Sequence, residues 1–121
     1  ILIGLVGSEM CIRDRDRTMW RAKNSDTFKP LGPWIETDVD LNSLTTRVTV
    51  NNREVISFKT NSMIFGVKKF ISTMSKYLTL VPGDMIWMGT DGHSENLKIG
   101  DVCNVSISGI GTLSNQIIGD K

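Results

Sequence analysis

The chain of 121 residues is poor in several things at once: one His, two Cys, three Pro, one Tyr, and a formal net charge of only +1. So small a charge excludes nucleic acid and anionic membrane as main partners, because both are gripped through a marked excess of Lys and Arg. Cys11 and Cys103 stand most of the chain apart, which makes neither a disulfide framework nor a metal knuckle, and the single His93 removes the His-rich zinc sets. Cysteine usage of this kind leads us to expect a reducing, cytoplasmic setting. The apolar opening over residues 1–7 is too short to cross a bilayer, and it lacks the basic start and small-residue cleavage site of a secretion signal.

Generic catalytic motifs are also missing. Gly109-Ile110-Gly111 has Ser114 where a dinucleotide fingerprint needs its third Gly, and no Gly-Lys-Ser phosphate loop occurs. His93, between Gly92 and Ser94, reads as an exposed loop residue. Asp84 and Asp101 each follow a Gly, where an aspartate serves a turn better than a metal. Trp20, Trp34 and Trp87, with Met63, Met74, Met85 and Met88, read as core or interface packing. The first fifteen residues share no pattern with the rest of the chain, which opens on Ile1 without an initiator Met. The expectation is a non-native or unstructured leader over 1–15 and a piece of a longer domain over 16–121.

What the chain does have is strand alternation and turn punctuation. Residues 45–50 and 54–59 alternate around Asn51-Asn52, which predicts a β-hairpin. Val67, Phe70, Ile71 and Met74 recur at helical spacing, with Lys68, Lys69, Ser72 and Lys76 opposite, which predicts one amphipathic helix over 67–77. Pro82-Gly83-Asp84 and Ile99-Gly100-Asp101 should each turn into a strand, the first over 85–88 and the second from Val102, and Gly109-Ile110-Gly111 should close a second hairpin. Strands outnumbering one helix make this a β-dominated α+β domain.

Two loops carry residues suited to chemistry. Lys23 precedes Thr27 in a stretch braced by Pro30, Gly32 and Pro33, which could aim an ammonium and a hydroxyl into one pocket, where a cation stabilises developing negative charge. Gly89-Thr90-Asp91-Gly92 follows an apolar run and offers a hydroxyl and backbone donors at a strand end. From the residues alone, turn structure is the better account of both loops.

The order of the words in the sequence is more specific. Lys23 to Phe28 with Pro30-Leu31-Gly32-Pro33-Trp34-Ile35, the Val50-Asn51-Asn52 hairpin, Thr60 to Phe65, Thr79-Leu80-Val81-Pro82-Gly83-Asp84, Gly89-Thr90, and Leu97 to Asp101 with Gly109-Ile110-Gly111-Thr112-Leu113-Ser114-Asn115 succeed one another across residues 17–119. In that order they resemble the fumarylacetoacetate hydrolase superfamily. The resemblance implies a mixed-sheet fold of the fumarylacetoacetase C-terminal domain type, truncated here on its N-terminal side. It further implies a homodimeric enzyme using Mg²⁺ or Mn²⁺ on small oxo-acids by hydrolysis, decarboxylation, hydration or isomerisation. Carried over by position, Lys23 would be catalytic, Thr27 would support the metal shell, and Gly89 and Thr90 would hold substrate oxygen. The family's Glu-x-Glu metal pair has no counterpart here, and its carboxylate ligands are expected to be missing from this chain. The chain alone is then expected to be inactive, and the rival expectation is a non-catalytic folding or dimerisation module.

Overall fold

A computed structural model describes residues 20, 24–91 and 96–119. Four strands form one antiparallel sheet in the order β2-β1-β3-β4, with β1 at Thr45–Val50, β2 at Arg53–Lys59, β3 at Val102–Ile107 and β4 at Gly111–Gln116. A 3-10 turn at Thr60–Ser62 and one helix, α1 at Val67–Met74, come after β2. All pairings among the described strands are antiparallel, so the mixed sheet implied by the resemblance is not assembled by these residues.

Both hairpins form where turn chemistry and alternation agree. Asn51 and Asn52 take φ of +49° and +67°, the double positive φ of a tight two-residue turn, which Asn tolerates better than other side-chain-bearing residues. The Asn51 side chain then fastens this turn to the neighbouring strand: Val102 N–H donates to its Oδ1 at 2.9 Å, and its Nδ2 donates to Asp101 Oδ1 at 2.8 Å. The Asp101 carboxylate also accepts the Lys98 backbone N–H at 2.8 Å. That bond, and then the Asn51 amide, hold its pKa below the ordinary carboxylate value. Asp84 does the equivalent one turn earlier, accepting Val81 N–H at 2.9 Å. Both Gly-Asp pairs are therefore turn clasps, as their sequence context suggested.

Val48 pairs with Ile56 on one side and Val105 on the other, and Val50 pairs with Cys103, so one face of the sheet is apolar. Val48, Ile56 and Cys103 are its buried centre, with Val55, Phe58, Leu97 and Val105 packed around them. A register shift after Val48 puts Val55 opposite no partner of its own, a bulge that adds one more apolar side chain to this cluster. Burial raises the Cys103 thiol pKa, which keeps it an inert packing group rather than a nucleophile.

Thr46 is fully buried, and its Oγ1 has no hydrogen-bond partner among the described residues. A buried hydroxyl without a partner keeps its desolvation cost, and valine fills nearly the same space without one. Thr46→Val should therefore raise the unfolding free energy by about 1–2 kcal/mol, read by urea denaturation. A loss of stability would mean that the hydroxyl has a partner.

Two expectations are corrected. The apolar run 85–88 is not a strand, because it pairs with neither open edge, β2 or β4, of the four-stranded sheet; Ile86, Trp87 and Met88 are half-buried and Met85 is exposed. The helix ends at Met74 and continues to residue 77 only as turn, and none of its residues is buried.

Candidate functional site

Asn24 is helical, as is Trp20, and residues 25–34 form a loop tied down at both ends. The Phe28 N–H donates to the Ser25 carbonyl at 3.1 Å, closing a turn in which Thr27 takes φ +67° and leaves its side chain exposed. Asn24 Nδ2 donates to the Trp20 carbonyl at 2.9 Å, and Asn24 Oδ1 accepts the Lys29 ammonium. Lys29 Nζ in turn stands 5.6 Å from the centroid of the Trp87 ring, within reach of its negative face. Trp87 precedes Thr90 by three positions, so Lys29 joins this loop to the segment that carries Gly89 and Thr90.

At its far end the loop turns through a cis Gly32–Pro33 peptide and sets Trp34 on the sheet. The indole Nε1 donates to the Ile110 carbonyl at 2.8 Å. The ring covers Gly111 so closely that a Cβ there would stand 2.5 Å from Trp34 Cζ2. Gly111 is thus required both by this approach and by its φ of +148°.

Gly89, at φ +83°, turns the extended 85–88 segment, and Thr90 comes next with its hydroxyl donating to the Asp91 carbonyl at 3.2 Å. Both line a hollow of about 510 Å³ whose walls include Phe58, Met63, Phe65, Phe70 and Met88, with Asp91 at the same end. That volume suits a small molecule. A second, more open hollow of about 580 Å³ lies over the polar face of the sheet around Arg47, Ser106 and Thr112 and includes none of the residues expected to act. Its Arg47 Nε is 3.7 Å from a Glu54 carboxylate oxygen, and the Ser106 and Thr112 hydroxyls bond one another at 2.8 Å.

The structure thus brings two of the expected residues, Gly89 and Thr90, to one hollow, and Thr27 is not on its lining. Lys23, Cys11, His93 and the 1–15 leader lie outside the described residues. Among the described residues no three His, Cys, Asp or Glu side chains converge on a point that could hold a metal ion, so this part of the chain does not by itself fit a divalent cation. Sequence reading missed three features. Met63 and Met88 are groove wall rather than core, Trp20 and Trp34 are 62% and 56% exposed, which sets aside core packing and leaves the interface alternative, and Lys29 pairs with Trp87. No helical or strand period marks any of the three, because each depends on which distant segments meet.

Known proteins are similar in both sequence and backbone fold. The family model described as fumarylacetoacetate (FAA) hydrolase C-terminal matches residues 2–118. The chain is 39% identical over 104 residues to the 4-hydroxyphenylacetate degradation bifunctional isomerase/decarboxylase of Salmonella dublin, covering 84% of this chain and 24% of that one. It is similar, at TM-score 0.86 and 34% identity, to the crystal structure of 5-carboxymethyl-2-hydroxymuconate delta-isomerase from Mycobacterium smegmatis, over 90% of this chain and 44% of that one. At TM-score 0.79 and 29% identity it is similar to maleylpyruvate hydrolase from Sphingobium sp. SYK-6 in complex with manganese (II) ion and pyruvate, over 83% and 39% of the two chains. The chain spans less than half the length of each of these relatives. The chain belongs to the fumarylacetoacetate hydrolase family, matching its C-terminal domain.

Proposed function

We propose that residues 16–121 are the C-terminal part of a divalent-metal-dependent enzyme that acts on small oxo-acids, by hydrolysing a C–C bond in an acylpyruvate- or fumarylacetoacetate-like substrate or by a related decarboxylation, hydration or isomerisation. The observation that carries this reading is the opening of Gly89 and Thr90 onto a ligand-sized hollow in a chain of this family. A relative bound to manganese and pyruvate supports the metal and the substrate class.

Bond breaking or proton loss beside an oxo group places negative charge on oxygen. In this reading the Lys23 ammonium faces that charge, and the Gly89 backbone and Thr90 hydroxyl hold a substrate oxygen in place. Thr27 would support the shell of a divalent ion whose carboxylate ligands would come from outside this chain; such an ion, when bound, would supply Lewis acidity. A homodimer in the cytoplasm completes the proposal.

The test is a panel of 2,4-dioxo acids and oxaloacetate, offered to the complete protein with Mg²⁺ or Mn²⁺ and followed by loss of enol absorbance. Turnover that is abolished by chelator and restored by metal is expected. A folded, metal-supplemented protein inert toward the whole panel would instead support the non-catalytic folding or dimerisation module.

A further inference from the structure

The hollow beside Gly89 and Thr90 has a chemical character that points to one kind of substrate. Its walls are the apolar side chains of Phe58, Met63, Phe65, Phe70 and Met88, supplied by β2, by the segment leading into α1, by α1 itself and by the 85–88 run. Its polar side chains are Ser62, Thr90 and Asp91, and among the described residues its lining holds no Lys, Arg or His.

We infer that this hollow takes the tail of the substrate, and that the preferred substrates are 2-oxo acids with an uncharged hydrocarbon tail rather than those ending in a second carboxylate. The inference rests on the reading of Gly89-Thr90 as the contact for substrate oxygen. With the oxo-acid head held there, the tail runs along the Phe70 and Met88 wall. Each methylene it buries is favoured by the hydrophobic effect. A tail carboxylate would lose water against those walls, with no Lys, Arg or His among the described lining residues to pair with it.

The experiment is calorimetric titration of the complete protein, in buffer with Mn²⁺, with pyruvate, 2-oxobutanoate, 2-oxopentanoate and 2-oxohexanoate, and with 2-oxoglutarate as the carboxylate-tailed match to 2-oxopentanoate. The Kd should fall roughly three- to fourfold per added methylene. 2-Oxoglutarate should bind at least about tenfold more weakly than 2-oxopentanoate. In Phe70→Ser the dependence on tail length should flatten while the pyruvate Kd stays near the parent value. A flat series, or tighter binding of 2-oxoglutarate, overturns the tail assignment and leaves the oxo-acid reading intact. An unchanged series in Phe70→Ser together with an altered oligomeric state by light scattering makes the hollow an assembly surface and overturns it as well. Failure of every 2-oxo acid to bind removes the reading of Gly89-Thr90, and this inference with it.

Discussion

Replacing Lys23 with Met in the complete protein should lower kcat for an oxo-acid by about 10²- to 10³-fold, with KM and melting temperature little changed. The magnitude is that of removing one preorganised group aimed at charge that exists only in the transition state. A cation that served mainly to bind the substrate would raise KM instead. The next residue in the chain, Asn24, is bonded to the Trp20 carbonyl and to Lys29, and Lys29 to the Trp87 face. Lys23→Arg, which keeps the charge on a longer and planar group, should recover only part of the loss. Steady-state kinetics together with a thermal melt decide the matter, and full activity in Lys23→Met would end the assignment of Lys23 as catalytic.

The second large effect concerns stability. Gly111→Val should cost about 2–3 kcal/mol, because the new Cβ would fall 2.5 Å from Trp34 Cζ2 and the residue would be held at φ +148°. For a domain of this size that is a drop of roughly 10 °C in melting temperature. The steric part depends on the indole, so the same substitution in a Trp34→Ala background should cost markedly less, leaving mainly the backbone strain. A double-mutant cycle from denaturant melts measures the difference. Equal costs in both backgrounds would show that the Trp34–Gly111 contact does not hold the 25–34 loop on the sheet.

These two residues were legible to different degrees. Lys23 was singled out by its place in a Pro- and Gly-braced loop and by the family wording around it. The Trp34–Gly111 contact was not, since the indole and its Ile110 acceptor lie 76 positions apart, and no spacing rule operates over that range. The run 85–88 shows the same limit from the other side. Its apolar residues satisfy every local condition for a strand, but a strand also needs a partner, and 85–88 pairs with neither open edge of β2-β1-β3-β4.

Local chemistry alone was enough for both hairpins, the clasping role of Asp84 and Asp101, and the helix α1. Alternation, positive φ at Asn51 and Asn52, and a side chain bonding three residues back all act within a few positions, and the structure repeats them. Word order along the chain was enough for the family. The antiparallel placement of β1 against β3, the pairing of Lys29 with Trp87, and the assembly of Phe58, Phe70 and Met88 into one groove with Thr90 emerged only in three dimensions. Each joins segments that are distant in the sequence. Which of them meet is decided by how the whole sheet buries Val48, Ile56 and Cys103, a property of the assembled fold that no short stretch of sequence contains.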